Sequence, residues 1–140
     1  MSVEQNKEVV RRFHEAYNQG NLDRAAEQVA SDFKGYISGV PGTLGRDEFK
    51  NMGGAYLDAF PGSASQTLNI IGEGDWVAAY GVFRGTQTGD FMGIPATNRP
   101  VELTWIHFFR VSGGKIVELH VEQHTMGMMQ QLGVIPTPDQ

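Results

Sequence analysis

The chain has no cysteine among its 140 residues, which excludes disulfide frameworks, thiolate nucleophiles, cysteine-ligated zinc and iron-sulfur clusters. Basic residues are few: eleven Lys and Arg stand against sixteen Asp and Glu, for a formal net charge of -5. No window concentrates them, so a phosphate backbone would be repelled over most of the surface and nucleic acid is not an expected partner. Long apolar runs are also missing. No segment approaches a membrane-spanning length, and Met1 to Lys7 lacks the basic and apolar regions of a secretory leader, so a cytoplasmic protein with no membrane partner is expected. No Gly-Lys-Ser/Thr follows the glycines at 85, 89 and 93, and neither a Gly-x-Ser-x-Gly elbow nor a dinucleotide fingerprint occurs. Any chemistry must come from His, Asp, Glu, Tyr, Ser, Arg or Lys.

What is present suits one compact core, since 40% of the residues are hydrophobic and the length fits a single domain over 1–140. Val3, Val10, Phe13 and Tyr17 recur at helical spacing up to Gly20, and His14 flanks that stripe, where it would bridge core edge and water. Asn21 offers an N-cap to a short second helix with Leu22, Ala25, Ala26 and Val29 as its stripe. A short strand over Phe33 to Ile37 and a Gly-rich loop to Gly45 lead into a third helix, with Phe49, Met52, Tyr56 and Phe60 on one face, closed by Pro61-Gly62. The period then changes to two, with strands near Gln66–Ile71, Trp76–Thr86, Val101–Val111 and Lys115–Gln123, before a last short helix ended by Gly133. Helices first and strands after predict α+β, with three helices across one curved, mostly antiparallel sheet.

Three of the four histidines, His107, His120 and His124, fall in the last two strands, so the register of that hairpin decides whether they meet. A two-residue type I′ turn at Gly113-Gly114 pairs Ser112 with Lys115 and sets His107 opposite His120, Phe109 opposite Glu118, Trp105 opposite Glu122 and Leu103 opposite His124. That register gathers the histidines on one cavity-facing surface. It leaves Ile106, Phe108, Val117, Leu119 and Val121 to pack on a second subunit. The alternative, a three-residue turn with a bulge, reverses the parity and sends the His/Glu face of the last strand to solvent. His120 and His124 lie about 13 Å apart along a strand and cannot share an ion, so a metal would need His107 with His120 or Glu122; none is expected.

The run Gly85-Thr86-Gln87-Thr88-Gly89-Asp90-Phe91-Met92-Gly93-Ile94-Pro95-Ala96-Thr97-Asn98-Arg99 resembles the loop of SnoaL-like polyketide cyclases, also called ester cyclases, in the nuclear transport factor 2-like superfamily. His107-Phe108-Phe109-Arg110, Gly114-Lys115-Ile116-Val117-Glu118 and Gly127-Met128-Met129-Gln130-Gln131-Leu132-Gly133 continue the match over nearly the whole chain. The resemblance implies a cone-shaped α+β barrel enclosing a pocket, assembled as a homodimer or homotetramer. It also implies cofactor-independent ring closure by an intramolecular aldol reaction, in which a pocket carboxylate takes a proton from an activated carbon and returns one to oxygen. Three positions depart from the family: His124 occupies the place of the usual acid/base aspartate, His120 that of a customary Trp, and Tyr36 that of a first-strand histidine found in many members. The expected function is acid/base catalysis on a small polyketide-like or aromatic carbonyl compound, as aldol-type cyclase, dehydratase or isomerase. His124 would be the base and His107 would polarise an oxygen, with His120 and Glu122 supporting them; Tyr36, Tyr56, Trp105 and Phe109 would contact substrate. The alternative is a small-molecule-binding protein that keeps the pocket without catalysis.

Overall fold

A computed structural model describes residues 2–138. Helix α1 spans Val3–Asn18 and starts at a capping box, in which Ser2 Oγ accepts from the Gln5 amide at 3.1 Å and Gln5 Oε1 accepts from the Ser2 amide at 2.8 Å. Its buried stripe is Asn6, Val9, Val10, Phe13 and Ala16. Helix α2 is shorter than the sequence suggests, Leu22–Ala26, with Asn21 capping the Arg24 amide at 3.0 Å. Val29, expected in that helix, instead begins strand β1, Val29–Ile37. A β-branched residue gains more from the buried sheet edge than from an extension of the helix. Helix α3, Arg46–Ala59, is followed by β2 (Ala64–Glu73), β3 (Trp76–Thr86), β4 (Pro100–Ser112), β5 (Lys115–Gln123) and α4 (Thr125–Gln131).

The five strands form one sheet in the order β1-β5-β4-β3-β2. Only β1 against β5 is parallel; the other pairs are antiparallel. Helix α1 lies across the inner face from β2 to β5, α3 meets β1, and α4 packs on β4. The inner face carries two apolar clusters. One gathers Val10, Phe13, Phe33, Phe109, Ile116 and Leu119 beneath α1; the other gathers Phe60, Phe91, Leu103, Met128 and Leu132 at the far end. Within the 86–99 segment, the fully buried Gln87 side chain donates to the carbonyls of Ile94 and Pro95 and accepts from the Thr97 amide and hydroxyl. That segment is therefore a pinned loop.

The hairpin departs from the expected parity at one residue. Gly113 and Gly114 adopt positive φ, 59° and 79°, and Ser112 pairs with Lys115 as the turn requires. Val111 pairs with Ile116, but Arg110 then pairs with Glu118, so Val117 is an extra residue, a bulge three positions past the turn. Beyond it Phe108 pairs with His120, His107 with Val121, Ile106 with Glu122 and Trp105 with Gln123. The bulge lets Ile116, Leu119 and Val121 all face the core. An unbulged strand would turn Glu118, His120 and Glu122 inward, trading about 2 kcal/mol of apolar burial per side chain for the cost of desolvating ionisable groups. The predicted His107–His120 pairing and the inward placement of Glu122 are accordingly wrong. So is the outward placement of Leu119 and Val121, which are buried in the core, whereas Val117 is half-buried at the bulge.

Candidate active site

A cavity of about 160 Å³ lies between the two apolar clusters. Helix α1 supplies Phe13, His14, Tyr17 and Asn18, and α3 supplies Phe49, Met52, Gly53 and Tyr56. Sheet residues Phe83, Leu103, Trp105, His107, Val121 and Gln123 form the floor. Among the described residues the wall contains no Asp, Glu, Lys or Arg; its titratable groups are two histidines and two tyrosines. Gly53 is needed here because a Cβ at that position would come within 2.5 Å of the Tyr17 ring.

The two histidines come from α1 and β4 and meet ring to ring. His14 Nε2 lies 3.0 Å from His107 Nδ1, and the rings are 5.2 Å apart. Trp105 stacks on His107 at 4.2 Å and is itself fixed by its indole N–H, which donates to Ser65 Oγ at 2.8 Å. Phe109 packs edge-on against both histidines, at 5.4 Å from His14 and 5.8 Å from His107. This apolar casing, which the cavity interrupts on one side, disfavours the imidazolium forms. Burial lowers His14 to about 4. His107 is held well below its ordinary range, by burial first and by the neighbouring His14 second. Both rings are therefore neutral near pH 7, and one proton lies between the facing nitrogens. His107 Nε2, on the opposite edge of its ring, has no protein partner among the described residues.

The phenols are held in their protonated form. Burial raises Tyr17 and Tyr56, and at Tyr56 it outweighs the opposing hydrogen bond from Gln123. Gln123 Nε2 donates to Tyr56 Oη at 2.6 Å, which leaves the Tyr56 O–H free to donate elsewhere.

Of the residues singled out from the sequence, His107, Trp105 and Tyr56 line the cavity. Phe109 supports the histidines from within the core but does not line it. His120 and Glu122 occupy the outer face of the sheet, where His120 Nε2 lies 2.6 Å from Glu118 Oε2 and the half-buried His120 ring stacks on Tyr36 at 4.6 Å. Tyr36 is thus also outside the cavity, because the parallel register pairs it with His120. The His120 hydrogen bond is the main reason the Glu118 carboxyl lies below its usual range. His124 is exposed at the N-terminus of α4, with its ring against Gly127, and does not line the cavity. Since His107 and His120 lie on opposite faces, the metal pairing considered from sequence does not exist. Among the described residues no group of three or more His, Asp or Glu could hold a metal ion. The residue that sequence reasoning set aside is His14. Its signal was an ionisable ring one residue from Phe13 and three from Tyr17, at the margin of a helix stripe that packs inward.

Comparison with known proteins follows this architecture. The profile of the SnoaL-like polyketide cyclases matches residues 7–132. The aklanonic acid methyl ester cyclase of Streptomyces sp. (strain C5) is 33% identical over 138 residues, spanning 94% of this chain and 84% of the relative. The nogalonic acid methyl ester cyclase of Streptomyces nogalater is 30% identical over 131 residues, spanning 89% of this chain and 93% of the relative. Among solved structures, wild-type IdmH of Streptomyces antibioticus superposes with a TM-score of 0.82 at 31% identity, over 92% of this chain and 99% of that one. AclR of Streptomyces galilaeus shares the fold with a TM-score of 0.88 at 23% identity, over 97% of this chain and 89% of that one.

Proposed function

Because this chain belongs to the SnoaL-like polyketide cyclase family, we propose that it closes a ring on a polyketide-like ester by an intramolecular aldol-type reaction, with His107 as the acid/base group. The supporting observation is the composition of the cavity wall, whose bases are His14 and His107 and which holds no carboxylate among the described residues. His107 Nε2 takes a proton from a carbon acidified by flanking carbonyls. The carbanion adds to a second carbonyl of the same molecule, and the new alkoxide takes a proton back. Atoms and oxidation state are conserved, so the product is an isomer of the substrate. A neutral imidazole suits the base role, and keeping it out of bulk water strengthens its interaction with the developing charge.

The Tyr56 O–H, oriented by Gln123, supplies a hydrogen bond to the carbonyl that becomes the alkoxide. Phe13, Phe49, Phe83 and Trp105 provide flat apolar contact for a conjugated substrate. The relatives named as aklanonic acid methyl ester and nogalonic acid methyl ester cyclases make such esters the first compounds to try. The test is incubation with aklanonic acid methyl ester under conditions where the untreated ester is stable. A ring-closed product of unchanged mass supports the assignment. Saturable binding without conversion of this or related polyketide esters supports the second assignment, a ligand-binding protein, which the exposure of His124 favours.

A further inference from the structure

The wall between the cavity and a groove on the molecular surface is one side chain thick. Two residues, His14 and Asn18, line both. Asn18 is committed to the Ser65 backbone, donating to its carbonyl at 2.6 Å and accepting from its amide at 2.8 Å, and an amide does not relay protons. His14 does have two usable edges. Its Nε2 meets His107 Nδ1 at 3.0 Å on the cavity side, and its Nδ1 lies 3.5 Å from Thr67 Oγ1 on the groove side. Thr67 is exposed on β2 and helps line the groove.

We propose that His14 is a proton-positioning residue that carries protons between the cavity-facing His107 and solvent in the Thr67 groove, so that the base is reset from behind while substrate occupies the cavity. This rests on His107 being the cavity base. In the resting arrangement His14 Nδ1–H points to Thr67 or groove water, His14 Nε2 accepts from His107 Nδ1–H, and His107 Nε2 carries a bare lone pair. The opposite arrangement would leave an N–H of His107 without a protein acceptor in an apolar cavity, the costlier defect. When His107 Nε2 takes a proton, its Nδ1 proton passes to His14 Nε2, and the His14 Nδ1 proton passes to groove water. One proton enters the chain and one leaves. In the reverse transfers groove water returns a proton to His14 Nδ1, the His14 Nε2 proton passes back to His107 Nδ1, and His107 Nε2 gives its proton to the alkoxide.

The groups facing His14 favour passage over storage. From α1 these are Arg11, which is 3.7 Å from Glu8, and Glu15, which accepts from Gln19. From β2 they are the uncharged Thr67 and Asn69, and from β4 the only titratable neighbour is His107. Among the described residues no carboxylate is bonded to either imidazole, and burial depresses both, so a second proton on His14 is short-lived.

The test uses the full chain with nitrogen-15-labelled histidine and no substrate. Long-range proton–nitrogen spectra report the tautomers, and exchange spectroscopy reports the rate at which the ring N–H protons swap with water. His107 is expected as the Nδ1–H tautomer, switching to Nε2–H in His14→Phe, which keeps an aromatic ring but removes the relay. Thr67→Ile fills the groove and is expected to slow ring N–H exchange roughly tenfold or more. An unchanged His107 tautomer in His14→Phe, or exchange in Thr67→Ile within about twofold of wild type, overturns the proposal. Thr67→Ile alone decides the matter if His14→Phe does not fold, since position 67 is exposed on a strand. Slowed exchange without ring closure on any polyketide ester removes the cyclase assignment and leaves the relay standing. Ring closure with unchanged exchange removes the relay alone.

Discussion

His14 and His107, 93 residues apart in sequence, face each other nitrogen to nitrogen at 3.0 Å in a cavity wall that has no carboxylate among the described residues. Neither imidazole has an acid to stabilise its charged form, and this determines how the site responds to pH.

Activity is expected to be flat across the range in which an ordinary histidine titrates. With His107 depressed by burial and by His14, the free base persists below the unperturbed value near 6.5. kcat/KM should therefore stay within about twofold between pH 8 and 6 and fall only at more acidic pH. A pH series in constant ionic strength checks this; a limb centred between about 6 and 7 would indicate an unperturbed imidazole.

Stability carries the same signature. His14 binds its proton near pH 4 when folded and near 6.5 when unfolded, so between those values the unfolded chain holds more protons. Stability should decline as pH falls through that window, by up to about 3 kcal/mol from His14 alone. Urea denaturation at pH 7 and pH 4.5 measures the difference, and His14→Phe should remove much of the slope in a chain that still folds.

Most of the fold was legible because helical and strand periodicities in this chain are clean. The turn at Gly113-Gly114 was legible as well, and so were the inward positions of Leu103, Trp105, His107 and Phe109. The parity of β5 was not. Ile116, Val117, Leu119 and Val121 put apolar residues on both faces of that strand, so alternation alone fits either register. One bulge at Val117 then moves His120 and Glu122 to the outside. His14 was illegible for another reason: a residue at the margin of a helix stripe finds its partner only when the helix's rotation over the sheet is known.

Gly81 on β3 seats the Trp105 indole, and a Cβ there would overlap both that ring and the Gln66 carbonyl. Gly81→Ala is expected to cost about 2–4 kcal/mol through overpacking and to disturb the ring that stacks on His107. Thermal unfolding measures the first effect, and quenching of Trp105 fluorescence in a Trp76→Phe background follows the second. An unchanged midpoint would show that β3 yields at no cost.

The outer face of the sheet leaves Ile106, Phe108 and Tyr80 exposed, with Trp76 stacked on Phe108 at 4.6 Å. A second copy of the chain is the proposed cover, over a smaller patch than the sequence suggested because Leu119 and Val121 are buried. Sedimentation should show at least twice the 15.4 kDa chain mass, reverting to the monomer in Phe108→Glu. A wild-type protein that sediments as the single chain at micromolar concentration would refute this.

The central claim, that the base is His107 in the cavity rather than the exposed His124, is tested most directly by measuring kcat/KM of His107→Ala and His124→Ala side by side on an ester that the wild type converts. His107→Ala should lose roughly 100-fold to 10,000-fold, the range for a positioned general base, while His124→Ala stays within about threefold of wild type. The reverse pattern, a collapse in His124→Ala with His107→Ala nearly intact, would contradict the account.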